Sequence, residues 1–249
     1  MRKIGLLACG VCLTLAWCLY ARGQGDESRA IIDKAIKAHG GAKKLEAIKA
    51  VQIKAKGKIY QPMEFPFTAE ICSQPPDKMK LTADLEVNNM NIAFVQVFDG
   101  KKGWQSVAGM TKEVDADELK EFKEQMHVEE VASLVPLKDK SYKLSALGET
   151  KVGDQDTVGV QVTKKGRRDV NLYFDKQTHL LLKAEYRALD PSKQEVTQEK
   201  LFQNYKDVGG MKLPGRMVVN NDGKKFLDLE ITEATPMESP FDESVFAKP

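Results

Sequence analysis

The chain has 249 residues, of which 30% are charged and 42% are hydrophobic. The charged fraction excludes a protein that crosses a membrane many times, and 7% aromatic residues exclude a mostly disordered chain. With 38 basic and 36 acidic residues the net charge is only +2, so the chain lacks the basic excess of a nucleic-acid-binding protein.

The first 25 residues have the pattern of an export signal. Arg2 and Lys3 precede an uncharged run from Ile4 to Tyr20, and small residues follow at 21–25. This pattern predicts a signal peptide over residues 1–23 and a single mature domain over residues 26–249. Two alternatives stay open: the run could remain as one anchoring helix, and Leu6-Leu7-Ala8-Cys9 resembles the acylation site of a lipoprotein. In each case we expect an exported protein of the periplasm or cell envelope.

Export also changes the cysteine count. Cys9, Cys12 and Cys18 lie within the predicted signal, which leaves Cys72 as the single cysteine of the mature chain. One cysteine cannot form an intramolecular disulfide. We therefore expect Cys72 to be a free, half-buried thiol on a strand.

Helices are predicted at three places in the mature chain. Apolar residues at helical spacing from Ser28 to His39 predict the first, which Gly40-Gly41 would end. A short second helix is predicted at about 42–48. The third should begin at the capping-box pattern of residues 115–118 and end near Leu134, ahead of Pro136.

The remaining chain follows the period of two that is typical of strands with one apolar face. Apolar and polar residues alternate without a break over 51–59 and again over 78–87. Further strands are predicted at 65–71, 92–98, 142–147, 157–163, 169–175, 179–187, 195–205, 216–220 and 225–232. About eleven strands with turn residues every 8–12 positions predict one mainly β (α+β) domain of the sandwich or barrel class.

Residues that carry chemistry are few. His39, His127 and His179 are far apart, and the H-x-x-E pattern from His127 to Glu130 lacks the second helical histidine of a zinc protease. No nucleophile elbow, phosphate-binding loop or dinucleotide fingerprint occurs. We interpret His127 as a solvated helix residue and expect no catalytic residue, no metal and no cofactor.

Four bases lie together in one predicted hairpin turn, at Lys164, Lys165, Arg167 and Arg168. They could contact an anionic membrane surface. They could equally be the solvated tip of a hairpin, and both interpretations stay open.

Five stretches, in order along the mature chain, carry a family resemblance. They are Ala35–Gly41, the D-G/G-W hairpin at Val97–Trp104, Leu172–Leu181, Tyr205–Pro214 and the closing Phe241–Phe246. Together they resemble the periplasmic lipoprotein-carrier superfamily. That group includes the LolA-like and LolB-like proteins, the outer-membrane lipoprotein-sorting proteins and the sensor domain of the RseB type.

The resemblance implies a half-open antiparallel β-barrel whose concave apolar face is covered by helices. A hydrophobic ligand, such as acyl chains of a lipid or of a lipidated protein, would lie between the sheet and the helices. The function that follows is a non-enzymatic binder or carrier. A sensory or protein-interaction module of the same fold is the alternative, and a hydrolase is the least favoured.

Ligand contacts are expected from the apolar sides of the alternating strands, because three helices cannot cover strands of this length. These positions are Phe65, Phe67, Met79, Leu81, Leu85, Phe94, Leu172 and Phe174.

Overall fold

The fold is described from a computed structural model over residues 26–60, 63–190 and 192–249. The predicted signal peptide at 1–23 lies outside the described residues.

One large antiparallel sheet dominates the described chain. Its 13 strands run in the order β6-β5-β4-β3-β2-β1-β15-β14-β11-β10-β9-β8-β7, and a separate hairpin consists of β12 and β13. The strands are β1 Ala50–Ile59, β2 Phe65–Gln74, β3 Lys78–Val87, β4 Met90–Phe98, β5 Gly103–Val107, β6 Met110–Glu113, β7 Tyr142–Val152, β8 Gln155–Lys164, β9 Val170–Asp175, β10 Leu181–Leu189, β11 Glu195–Gln203, β12 Lys206–Val208, β13 Met211–Leu213, β14 Arg216–Asn221 and β15 Lys224–Met237. Because β6 and β7 do not pair with each other, the sheet is not closed and forms a half-open barrel.

Three α-helices accompany the sheet in the described part of the chain. They are α1 at 26–38, α2 at Ala42–Ala47 and α3 at Ala116–Ala132. At the start of α3, the Asp115 carboxylate accepts hydrogen bonds from the backbone N–H of Asp117 and Glu118, and the Glu118 side chain accepts one from the Asp115 N–H. The capping box predicted from the sequence is therefore present.

The strand count exceeds the prediction of about eleven. The additional strands are β5, β6, β12 and β13, each three to five residues long. Strands this short give too few alternations for a period of two to be recognised. A smaller difference concerns β10, which begins at Leu181 because His179 has a positive φ of 59° in the preceding turn.

Strands β1 and β15 form the seam between the first and last parts of the sheet. On the outer face, Lys54 and Lys56 of β1 form ion pairs with Glu233 and Glu230 of β15 at 2.9 and 3.4 Å. At Gly57 the two strands come so close that a Cβ atom would lie 2.2 Å from the Asp228 carbonyl oxygen. Glycine therefore permits this approach.

The main hydrophobic core lies between the β7–β11 part of the sheet and the helices. Ile32 and Ile36 of α1 and Val131 of α3 are buried here against side chains from the strands, such as Leu172. The helices thus cover one half of the concave face closely and leave the β1–β5 half with little packing of its own.

The C-terminal segment covers part of the opposite, outer face. A 3-10 helix at Glu243–Phe246 places Phe246 against Cys72, Val97 and Trp104. Cys72 is a free cysteine and is buried, with 7% of its surface exposed, rather than half-buried. Burial, followed by the charge of Glu70, raises the pKa of its thiol.

Candidate functional site

A cavity of about 670 Å³ lies between α3 and the concave face of the β1–β5 and β14–β15 strands. In this half of the sheet a small buried apolar cluster of Ala55, Phe67 and Leu229 lies on the concave side, with partly buried side chains such as Leu85 packed against it. Because α3 packs against β9 and β10, the concave face on the far side of the helix is left without a second layer. The cavity is the space that results.

Five of the predicted contact residues line this cavity: Phe67, Met79, Leu81, Leu85 and Phe94. They lie on three neighbouring strands, β2, β3 and β4. The period of two explains why they share one face, since alternate side chains of a strand point to the same side of the sheet.

The other three predicted contact residues lie elsewhere. Phe65 is the first residue of β2, opposite Ile59, and is half-buried outside the cavity lining. Leu172 and Phe174 of β9 have no exposed surface and belong to the main core beneath the helices. Their side chains are therefore not available to a ligand in the cavity.

Part of the lining comes from residues that were not predicted as contacts. Met217 and Val219 belong to β14, Leu227 and Leu229 to β15, and Phe122 to α3. The alternation within 225–232 already contained the signal for Leu227 and Leu229. Nothing in the local sequence indicated that Phe122 of α3 would line the cavity from the helix side.

The apolar wall continues beyond the cavity towards the margin of the sheet. Met90 pairs with Val87, and Val107 pairs with both Phe94 and Met110. Direct cross-strand partners share a face, so Met90, Val107 and Met110 lie on the cavity side, and they are 60%, 44% and 76% exposed. A continuous apolar surface therefore leads from solvent to the cavity.

Part of the cavity lining is a paired polar network of residues from α3, β10, β11 and β14. The buried Lys200 forms an ion pair with Glu129, and its Nζ lies 5.8 Å from the centre of the Tyr186 ring. The Tyr186 hydroxyl donates to Gln198 Oε1 at 2.5 Å, and Gln198 Nε2 donates to Asn221 Oδ1 at 2.9 Å. Although burial acts to lower the pKa of Lys200, Glu129 and Tyr186 raise it overall, so this side chain stays charged.

The interpretation of His127 as solvated is wrong. Only 2% of this residue is exposed, and its ring stacks on that of Tyr142 with centroids 6.1 Å apart. The residue lies where α3 meets β7, a contact that the sequence of the helix alone does not reveal. Its Nδ1 lies 3.5 Å from Glu130 Oε2. Across residues 26–60, 63–190 and 192–249, no three His, Cys, Asp or Glu side chains are grouped as metal ligands.

The basic turn between β8 and β9 is held mainly by acidic residues of α3. Arg168 pairs with Glu121 at 2.8 Å and Arg167 with Glu124 at 3.3 Å. Lys164 donates to the Tyr142 hydroxyl at 2.8 Å, whereas Lys165 is exposed. The two arginines therefore fasten the turn to α3, and Lys165 is left exposed at its tip.

A second, larger groove of about 1030 Å³ lies on the outer face of the sheet. Part of its charged lining is paired: Arg216 pairs with Asp228 at 2.7 Å, and Lys56 pairs with Glu230. The lining of this groove is less apolar than that of the concave cavity, so the concave cavity is the better candidate site for an apolar ligand.

For the helices of the described segments, crossing a bilayer would demand both a sufficient length and a high hydropathy. None of them meets both requirements.

Solved structures share this fold, although no protein-family model and no curated protein sequence matches the chain. A LolA superfamily protein from Nitrosomonas europaea is 12% identical, with a TM-score of 0.54 over 89% of this chain and 97% of that one. An outer membrane lipoprotein-sorting protein domain from Vibrio parahaemolyticus has a TM-score of 0.55, with the same identity and the same coverage of both chains. A DUF1329 family protein from Desulfovibrio piger has a TM-score of 0.53 and is 12% identical, over 88% of this chain and 97% of that one. The chain therefore has the half-open barrel fold of the LolA superfamily, as its sequence motifs indicate.

Proposed function

We propose that this protein is an exported, non-enzymatic binder or carrier of a hydrophobic ligand, namely the acyl chains of a lipid or of a lipidated protein. The observation that carries the proposal is the cavity of about 670 Å³ with its wall of apolar side chains from β1–β4, β14 and β15. Burial of an acyl chain contributes about 0.8 kcal/mol per methylene group. A cavity of this kind can therefore bind a lipid without any catalytic group.

Two further observations support the proposal. The similar domain from Vibrio parahaemolyticus is described as a lipoprotein-sorting protein, and it shares the fold over 89% of this chain. The continuous apolar surface through Met90, Val107 and Met110 gives an acyl chain a route into the cavity.

Export follows from the proposed signal peptide at residues 1–23. The periplasm or cell envelope is then the compartment in which the ligand is met. The intact mass of the exported protein tests this boundary, and we expect a first residue between Arg22 and Asp26. A mass that retains residues 1–20 would establish the anchor instead.

The proposal is tested by ligand extraction and by a pair of matched variants. We expect organic extracts of the purified protein to contain acyl lipids by mass spectrometry. Leu81→Glu places a carboxylate in the apolar wall, where it loses hydration, so affinity for a fluorescent fatty-acyl probe should fall about a hundredfold or more.

Thr68→Glu is the matched control. Thr68 is exposed on the outer face of β2 between Lys56 and Asp84, next in sequence to the cavity residue Phe67. The Thr68→Glu variant should bind the probe with an affinity within about twofold of the wild-type value. Circular dichroism checks that both variants are folded. If the folded wild-type protein binds no acyl probe, the carrier function is wrong and the protein-interaction module replaces it.

A further inference from the structure

Three glutamine side chains face the cavity. Gln96 of β4 and Gln105 of β5 are direct cross-strand partners, and Gln125 of α3 lines the cavity from the helix side. Direct partners on one face have Cβ atoms about 5 Å apart. Gln125 lies one helical turn after Phe122, so both project from the same side of α3 towards the sheet.

These three amides interrupt an otherwise apolar region. Along β4, Gln96 lies between Phe94 and Phe98, which share its face, and Leu81 is its partner on β3. On the helix side, the ring of Phe122 lies 6.4 Å from that of Phe98. The period of two therefore predicts an apolar side chain where Gln96 stands.

None of the three side chains has a hydrogen-bond partner among residues 26–60, 63–190 and 192–249, and each is half-buried. The contrast with Gln198 is direct, because Gln198 lines the same cavity and is paired with both Tyr186 and Asn221. The Gln198 amide is thus engaged within the protein, whereas the three unpaired amides are free to bond with whatever fills the cavity.

The chemistry of the ligand follows from this arrangement. A pure hydrocarbon would displace water from three amides and return no hydrogen bond, which is unfavourable. An amide offers both donors and an acceptor and carries no charge. Several charged groups of the lining already have ion-pair partners, such as Lys193 with Asp115 and Glu118 with Lys112. Neutral carbonyl and hydroxyl groups are therefore better matched than a carboxylate.

We propose that Gln96, Gln105 and Gln125 form the polar contact site of the cavity and bind the uncharged carbonyl and hydroxyl groups of an ester-linked acyl lipid. The acyl chain then lies along the apolar wall at Leu81 and Leu85. This inference rests on the proposed function and adds to it the class of ligand.

Competition between chain-matched ligands tests the inference. A bound fluorescent acyl probe is displaced by glycerol monopalmitate, by hexadecane and by palmitate at pH 8. Glycerol monopalmitate should displace the probe from the wild-type protein at concentrations about tenfold lower than either of the others, since it alone supplies uncharged carbonyl and hydroxyl groups.

The variants are Gln96→Leu with Gln105→Leu, and separately Gln125→Leu. Leucine is compatible with the apolar surroundings, so the variants should fold and bind hexadecane at least as well as before. The advantage of glycerol monopalmitate should fall to about threefold or less in the double variant. Gln155→Leu, at the exposed first residue of β8, is the control and should retain the full advantage.

The outcomes separate the two proposals. If the probe binds but the three competitors are equivalent, or if the double variant keeps the wild-type preference, the glutamine site is wrong and the carrier function stands. If the probe does not bind the folded wild-type protein, the carrier function fails first.

Discussion

Asp228, on the outer face of β15, has two cationic partners. Its carboxylate oxygens accept hydrogen bonds from Arg216 Nε and Nη2 at 2.8 and 2.7 Å, and Lys225 Nζ lies at 3.0 Å. Arg216 above all, with Lys225, lowers the pKa of Asp228 to about 2. An unfolded aspartate titrates near pH 3.9. The stabilisation is therefore complete above about pH 4 and is lost as the pH falls from about 4 to 2.

Asp228→Asn should lower the free energy of unfolding by about 1 kcal/mol at pH 7, after allowance for solvent screening. The difference from the wild-type protein should shrink as the pH falls from 5 to 3, because the Asp228 carboxylate of the unfolded chain takes up a proton in this range while that of the folded chain stays mostly ionised. Urea denaturation of both proteins at pH 7, 5 and 3 measures this difference in the free energy of unfolding. Glu230→Gln, which removes a more exposed pair with Lys56 at 3.4 Å, should cost measurably less. A constant difference at all three pH values would contradict this account.

Alternation in the sequence predicted which face of the sheet a residue lies on. It did not predict which side chains pack around that residue. Leu81 and Leu172 have the same alternating context, yet Leu81 lines the cavity and Leu172 is fully buried in the main core. The difference depends on which helix lies over each strand. That information is carried by contacts between residues far apart in sequence, which also decide that His127 is buried.

The C-terminal 3-10 helix is an element whose role is visible only in the structure. Phe246 is 2% exposed and packs over Cys72, Val97 and Trp104. Lys78 adds an ion pair to Glu243 at 2.6 Å. The segment therefore covers the single described thiol, and thiol reactivity can report on its attachment.

Phe246→Ala should release the segment from the sheet, because it removes the aromatic ring that anchors it. We expect Cys72 to react with a thiol reagent about tenfold faster or more, and the free energy of unfolding to fall by about 2–4 kcal/mol. Lys248→Ala, at an exposed position two residues further on, should leave the labelling rate unchanged. Equal labelling of wild type and Phe246→Ala would show that the segment does not protect the thiol.

Helix α3 shows how far local signals extend. The capping box and Pro136 place its ends to within about two residues of Ala116 and Ala132. The ion pairs that fix its position, from Arg167 and Arg168, join residues 43 and 47 positions apart. The sequence shows these acids and bases as separate charged segments, so their pairing could not be predicted from either one.

At the scale of the whole molecule, the two halves of the sheet are packed unequally. The β7–β11 half is covered by α1 and α3, whereas the β1–β5 half has the cavity in place of a core. A ligand in the cavity would supply the missing apolar contacts. Because such a ligand binds the folded chain only, it must stabilise that chain by mass action.

Removal of co-purified lipid should therefore lower the melting temperature. An acyl ligand present at 100 times its dissociation constant adds about 2.7 kcal/mol, which corresponds to about 5–10 °C for a chain of this size. Differential scanning calorimetry of delipidated and reloaded protein measures the shift. The melting temperature of Leu81→Glu should not change on reloading. If the melting temperature of the wild-type protein is the same with and without lipid, the cavity is not occupied by it.

The fold class and the half-open barrel could be predicted from alternation, turn spacing and the family motifs. The order of strands could not, because β15 pairs with both β1 and β14 and the Lys54–Glu233 pair spans 179 positions. No local pattern distinguishes this arrangement from one in which β1 is an edge strand of the sheet.

The central place of β15 bears on when the chain can fold. This strand, the last one described, is the only link in the sheet between the β1–β6 meander and the β7–β14 strands. The two parts can therefore join only when β15 pairs with β1, and closure of so long a loop is slow. Pairing of β15 with β1, two strands far apart in sequence, is thus expected to be a late step in the folding of this sheet.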